Sequence, residues 1–269
     1  MKLSVSDIAW DKEDDPFFYR EMKRLHYRGL EIAPTRIFPG APYDRLLEAE
    51  KWASGLRETY GLHLSSIQSI WYGKTERMFG SREEREELAA YTRKAIDFAH
   101  AVGCGNLVFG CPSNRRLEPG ESADAGMAFF EELGRYAQTK GTVLSLEANP
   151  AIYHTNYMNT TMEALALVKQ VNVDGFRLNL DLGAVIYNGE SLEALIGEFR
   201  WIRHIHISEP HLRAVKVRDI HRELAEILSC GQDYEGYISI EMGKGLERED
   251  VVRIMGEVKE LYGELCEEI

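Results

Sequence analysis

The sequence predicts an α/β protein built as a single (β/α)₈ barrel, one domain over residues 1–269. Three observations predict it. The chain has 269 residues, close to the usual size of such a barrel. Short apolar, β-rich runs alternate with longer charged segments of helical period. Eight such runs can be counted, and no linker, low-complexity tract or shift of composition marks a second domain.

The runs are Leu3 to Val5, Leu30 to Ala33, Leu62 to Ile67, Asn106 to Phe109, Val143 to Glu147, Phe176 to Asp181, Ile202 to Ile207, and Tyr237 to Glu241. Each is too short for a helix, and turn residues flank most of them. The segments between them carry helix signals. Ser81-Arg82-Glu83-Glu84 is a capping box before a run that reaches Ala101. Its Ser oxygen takes a free amide at the helix start, and its Glu takes another in return. Thr160-Thr161-Met162-Glu163 offers the same device before Ala164 to Val171. Gly29, Gly61 and Gly103 follow helical runs, where a left-handed terminal cap favours glycine. The final helix is expected from Arg248 to Glu267. Regular alternation of strand and helix implies a parallel sheet. An open doubly wound sheet would place a glycine-rich phosphate turn after the first strand. The residues there are Ser6-Asp7-Ile8-Ala9-Trp10, which form no such turn.

Composition narrows the function classes. Hydrophobic residues make up 44% of the chain and charged residues 28%, enough to bury a large core. The formal net charge of -12 argues against a nucleic-acid surface, which needs a positive field. No apolar window has the length needed to cross a bilayer. The four cysteines, Cys104, Cys111, Cys230 and Cys266, form no C-x-x-C pair and suggest neither a disulfide framework nor a zinc knuckle. The N-terminus has no signal-peptide pattern. The expectation is a cytoplasmic protein with reduced thiols that acts on a small molecule, with no nucleic-acid or membrane partner, and compatible with a homo-oligomer.

Four of the runs end in residues that bind metals. The fifth ends in Glu147 and the sixth in Asp181. The seventh leads to His206, and the eighth ends in Glu241. In a parallel barrel every strand C-terminus lies on one face, where active sites are built. Four successive strands therefore aim three carboxylates and one imidazole at a common centre. Without a cation the carboxylates would repel, and one would take up a proton. A divalent cation removes that conflict. Three oxygen donors and one nitrogen suit manganese, magnesium, cobalt or zinc without choosing among them. Any one of these acids alone reads equally well as a strand cap or an ion-pair partner. The joint pattern carries the argument.

These stretches, LSLEANP, LNLDLGAV, HIHISEP and ISIEM, resemble the xylose-isomerase-like barrel superfamily, as does Asn156 to Thr160 after the fifth strand. The resemblance spans essentially the whole chain. That group includes ketose 3-epimerases, hydroxypyruvate isomerase, inosose dehydratase and apurinic endonucleases. The resemblance implies that Glu147, Asp181, His206 and Glu241 bind one metal ion, commonly manganese. It implies a sugar or sugar-phosphate isomerase or epimerase in which Glu147 and Glu241 are the catalytic pair. One removes a proton beside a carbonyl to give an enediolate, and the other returns one. The sequence departs from the epimerase pattern in two places. A histidine common three residues after the metal-binding Asp is Ala184 here. The glutamate of an N-R-F-E-like motif is missing from Asn149-Pro150-Ala151-Ile152-Tyr153-His154. His154 or Tyr153 is the replacement on offer. The departures keep a metal-dependent lyase or dehydratase open as the alternative. The endonucleases add histidines after the third, fourth and sixth strands. Ser65-Ser66-Ile67-Gln68, Phe109-Gly110-Cys111 and Gly183-Ala184-Val185 supply none, which disfavours that class. An inactive binding protein sits poorly with an intact metal quartet.

Further candidates for gripping substrate are His211 and Arg213 on the seventh loop, His154 on the fifth, Glu31 at the end of the second run, and Gln68 and Trp71 after the third. Each has a plain counterpart: solvated loop residue, internal ion pair, or packing under a loop. His204 shares a strand face with His206 and reads as a core histidine below it. The adjacent pair Arg115 and Arg116 reads as a phosphate contact or, more simply, as solvated loop arginines.

Overall fold

The computed structural model describes residues 1–266. Its strands are β1 (Lys2–Ser6), β2 (Gly29–Ile32), β3 (His63–Ile67), β4 (Leu107–Phe109), β5 (Leu144–Glu147), β6 (Phe176–Asp181), β7 (Ile202–Ser208) and β8 (Tyr237–Glu241). Each pairs in parallel with its sequence neighbours, and β1 pairs with β8, so the sheet closes as an eight-stranded barrel. The helices are α1 (Asp15–Arg24), α2 (Pro34–Ile37), α3 (Leu46–Tyr60), α4 (Arg82–Val102), α5 (Asp124–Thr139), α6 (Thr161–Val171), α7 (Leu182–Asn188), α8 (Asp219–Ser229) and α9 (Arg248–Tyr262). This is the expected (β/α)₈ barrel. Glu267, the expected end of the last helix, lies outside the described residues; α9 stops at Tyr262 and a short 3₁₀ turn follows.

Strand alternation sorts the side chains into two shells. Leu3 and Val5, Leu144 and Leu146, Leu178 and Leu180, Ile205 and Ile207, and Ile238 and Ile240 are buried toward the helices. The residues between them are polar and face the barrel axis. Hydrogen bonds that join strands two or more apart show this directly. Ser4 Oγ on β1 lies 2.6 Å from Ser65 Oγ on β3. The Gln68 amide donates to Ser6 Oγ at 2.6 Å. His206 on β7 reaches Glu31 on β2 at 2.8 Å. The lumen is thus a hydrogen-bonded polar column inside an apolar sleeve. Its groups need one another, because buried polar atoms without partners are costly.

Both capping boxes form, Ser81 with Glu84 and Thr160 with Glu163. Gly61 and Gly103 are left-handed caps with φ of 71° and 70°. Gly29 is not a cap, contrary to expectation. It is the first residue of β2, and the turn after α1 places positive φ on His26 instead. Gly29 serves packing: a Cβ there would sit 2.7 Å from both Ser4 Cβ and the Tyr237 ring.

Candidate metal centre

Three carboxylates and one imidazole meet where β5 to β8 end. Ligand atoms of Glu147, Asp181, His206 and Glu241 all lie within 4.8 Å of one another. Register explains the convergence. Asp181 pairs with His206 across β6 and β7, and Glu241 pairs with Ser208 across β7 and β8. His206 Nδ1 is at the hub, 3.0 Å from Glu147 Oε1, 3.3 Å from Glu241 Oε2 and 3.9 Å from Asp181 Oδ2. Its other nitrogen, Nε2, lies 2.8 Å from Glu31 Oε2. His204 Nε2 is 3.1 Å from the same oxygen.

Two of the three carboxylates, Asp181 and Glu147, are also held from outside the hub. Ser208 Oγ donates to Asp181 Oδ2 at 2.6 Å, and the Ala184 amide, at the start of α7, donates to Oδ1. Asn179 Nδ2 donates to Glu147 Oε1 at 2.7 Å. Asn149 Nδ2 donates to Glu147 Oε2 at 3.0 Å. Such braces fix the direction in which the free lone pairs point.

The electrostatics of the cluster carry the strain expected of crowded acids. Burial, then the charges of Glu147 and Glu241, push the Asp181 carboxyl up to about 8. Burial also raises Glu241, partly offset by His206. Burial opposes charge on His206, yet Glu241 and Glu31 hold its imidazole well above the ordinary range. Glu31 runs the other way. Burial alone would raise it, but His206 and His204 lower it below the usual carboxylate range. The shifts of Asp181 and His206 both favour taking up protons, which would offset the crowded negative charge of the cluster. A divalent cation would take over that task, and the donor set of three carboxylates and one imidazole fits one.

A sequence model of the family described as xylose isomerase-like TIM barrel matches residues 19–254. The chain belongs to this family. Similar solved structures agree with its xylose isomerase-like fold. D-psicose 3-epimerase with D-tagatose from Clostridium cellulolyticum H10 aligns with a TM-score of 0.79 at 15% identity, covering 100% of both chains. The IOLI protein with a zinc atom aligns with a TM-score of 0.73 at 16% identity, covering 97% of this chain and 99% of that one. Among curated sequences, L-ribulose 3-epimerase of Methylomonas sp. (strain DH-1) is 33% identical over 125 residues, 44% of this chain and 43% of that protein. The chain thus matches less than half the length of this curated relative.

Around this family's barrel mouth the remaining expected residues separate. Trp71 does not line an opening. It is buried, donates from Nε1 to Thr92 Oγ1 at 2.8 Å and packs edge-on against Phe109 and Phe129. Glu31 and Gln68 are buried, and the Gln68 amide donates to Glu31 Oε1 at 3.1 Å; Glu31, His204 and His206 also bring ligand atoms within 4.8 Å of one another. Glu31 in turn meets His206 and His204, and Gln68 meets Ser6. His154, His211 and Arg213 are exposed. His211 donates from its backbone amide to the Tyr153 hydroxyl at 2.9 Å, joining the β5 and β7 loops. Burial raises the Tyr153 phenol, and the charges of Asp181, Glu241 and Glu147 add to the effect.

Sequence reasoning missed Asn149, Asn179 and Ser208. Each stands two residues from a cluster member, so strand alternation was the signal available for Asn179 and Ser208. Arg115 is a clear correction. It is neither solvated nor a phosphate contact, but fully buried behind Glu147. Arg116 remains on the surface, 3.3 Å from Glu118.

Proposed function

We propose that the chain is a divalent-metal-dependent isomerase or epimerase of sugars or sugar phosphates, working as one domain over residues 1–269. The observation that carries this reading is the convergence of Glu147 and Glu241 on one imidazole nitrogen, at 3.0 and 3.3 Å. Two carboxylates that face one centre are what proton removal and return across a substrate carbon require. The L-ribulose 3-epimerase relative and the structural likeness to D-psicose 3-epimerase support the same class. The zinc of the IOLI protein supports a metal at the cluster. Manganese is our first choice, with magnesium, cobalt and zinc suited to the same donors.

When bound, the cation supplies Lewis acidity that polarises a substrate carbonyl and acidifies the neighbouring C–H. The protein's groups do the rest. Glu147, Asp181, Glu241 and His206 Nδ1 hold the ion. Glu147 Oε2 faces away from His206, accepts from Asn149 Nδ2 and keeps a second lone pair to take a proton, and Glu241 returns one. Asp181 serves the ion alone. The Tyr153 hydroxyl accepts from His211, which leaves its own proton available to a substrate oxygen. That donor stands in the stretch where epimerases carry an acid, and it favours keeping a dehydratase as the second reading, since a phenol can also assist a leaving hydroxyl. No helix among the described residues is long and apolar enough to cross a membrane. Cys104, Cys111 and Cys230 are free thiols, compatible with our assignment to the cytoplasm.

The test is incubation with manganese and a panel of free and phosphorylated ketoses in heavy water. Deuterium at the carbon beside the carbonyl, with an epimer or isomer as product, is expected. Loss of water from the substrate would favour the dehydratase. Absence of exchange with every ketose would refute both readings.

A further inference from the structure

Arg115 is among the largest side chains in the molecule to be completely buried. Among the described residues no carboxylate pairs with it. Its Nη2 donates to the backbone oxygen of Glu147 at 2.9 Å and to Asn149 Oδ1 at 2.8 Å, while Nε and Nη1 have no partner among the described residues. Burying a cation without an anionic partner is costly, so a fold that retains one has a use for it. Among the described residues, the polar contacts of this guanidinium all lead to Glu147. One is direct, through the backbone. The other runs through Asn149, whose Nδ2 donates to Glu147 Oε2 at 3.0 Å.

A guanidinium can only donate. It therefore decides which end of the Asn149 amide faces it, and the NH₂ must face Glu147. The two oxygens of Glu147 are made unlike by this. Oε1 turns to the hub, 3.0 Å from His206 Nδ1. Oε2 turns away, toward Asn149 and the backbone at Gly110. A Cβ at Gly110 would lie 2.9 Å from Oε2, so the absence of a side chain there makes room for this rotamer.

We propose that Arg115 is a positioning residue: through Asn149 it tethers Glu147 Oε2 away from the cation, so that Glu147 offers the ion one oxygen and keeps the other as the proton acceptor. The proposal rests on the metal-dependent reading above and adds a division of labour within one carboxylate. Without the tether, Oε2 swings in beside Oε1 and Glu147 chelates. The ion then gains a ligand, a position for substrate is filled, and the base is lost.

Cobalt reports this independently of turnover, because its visible absorption weakens as its coordination number rises. The full chain is titrated with Co²⁺ as wild type, Arg115→Met, Asn149→Ala and Arg115→Lys. One cobalt per chain is expected in all four. Weaker visible bands are expected in Arg115→Met and Asn149→Ala, with Arg115→Lys nearer to wild type because it still donates. In ketose proton exchange, kcat should fall about 10–100-fold in the two disrupted variants with little change in KM. The backbone amide of Asn149 is held by Met158 O and its carbonyl by Asn159, so Asn149→Ala keeps its loop anchored and decides the matter if Arg115→Met does not fold. Wild-type cobalt bands in Asn149→Ala overturn the proposal, and a wild-type protein that takes up no cobalt overturns it along with the metal centre. Cobalt binding without exchange on any ketose refutes the proposed function alone, and the spectra still decide the tether.

Discussion

His206 Nε2 lies 2.8 Å from Glu31 Oε2, so a carboxylate on β2 sets the tautomer of a ring on β7 across the whole barrel. With its proton held on Nε2, a neutral His206 presents the Nδ1 lone pair to the hub. Glu31 is fully buried, so it cannot be replaced in this task by water. Glu31→Gln removes the anion and keeps the volume. We expect manganese affinity to fall about 10–100-fold, the usual cost of losing such a support, with the fold retained. Calorimetric titration checks it; unchanged affinity would mean that Glu31 serves the fold alone.

Metal addition should raise the melting temperature. A ligand that binds only the folded state at about 100 times its Kd adds about 2.7 kcal/mol. The gain should shrink in acid. Asp181, pushed up to about 8 by burial and by its acidic neighbours, holds a proton that a cation must displace. Below that pH the displaced proton counts against binding; above it, nothing is displaced there. Melting curves with and without manganese across the neutral range check the direction. A metal-induced shift that grows toward acid would contradict it.

The barrel and the meeting of the four strand-end residues were legible because both depend on local periodicity. Alternation within a strand places Glu147, Asp181, His206 and Glu241 on the inner face whatever the rest of the chain does. Contacts across the lumen were not legible. Nothing near Glu31 in sequence says that it will meet His206, because strand register and barrel closure decide that. Gly29 and Trp71 went astray for a related reason. A glycine after a helical run looks like a cap, and only the neighbouring Ser4 and Tyr237 reveal a packing role. An aromatic after a strand looks available until α4 and α5 close over it.

Gly29→Ala tests that packing role. The added methyl meets Ser4 Cβ and the Tyr237 ring at 2.7 Å, closer than real carbons approach. Overpacking of this kind costs about 1–3 kcal/mol. Urea unfolding checks it. Because φ is ordinary at this position, a stable Gly29→Ala protein would show that the strands can move apart.

Asp7 should give stability a pH dependence. Burial pushes its carboxyl up to about 7, against the lowering effect of the Arg36 guanidinium 3.3 Å away. In the unfolded chain the same group titrates near 3.8. Between those values the folded state binds more protons than the unfolded state, so stability falls as pH rises through this window. The loss is on the order of 1.4 kcal/mol for each pH unit within it, as an upper bound. Asp7→Asn keeps an acceptor for the Ala33 amide and does not titrate. Its stability relative to wild type should therefore improve from about pH 5 to about pH 8 by urea midpoints, and a constant difference would show that Asp7 is ionised throughout.

The two glutamates and Asp181 separate acid–base chemistry from metal holding. Gln keeps an oxygen donor and nearly the shape of Glu, but its amide takes no proton usefully near neutral pH. If holding the cation were enough, Glu147→Gln and Glu241→Gln would keep most of their activity at saturating manganese. If the carboxylates move the proton, each should lose about 10²–10⁴-fold in solvent deuterium uptake, the range seen when a general acid or base is removed. Asp181→Asn should behave differently. Its oxygens are already taken by Ser208 and the Ala184 amide, so its remaining capacity is for the ion, and excess manganese should partly restore exchange. The three variants are compared for deuterium uptake into a ketose that the wild type exchanges, with bound metal measured on the same samples. Near wild-type exchange in both Glu variants would end the two-base mechanism and leave the cluster as a metal site only. Loss in Asp181→Asn that no concentration of manganese relieves would give Asp181 a share in the proton transfer.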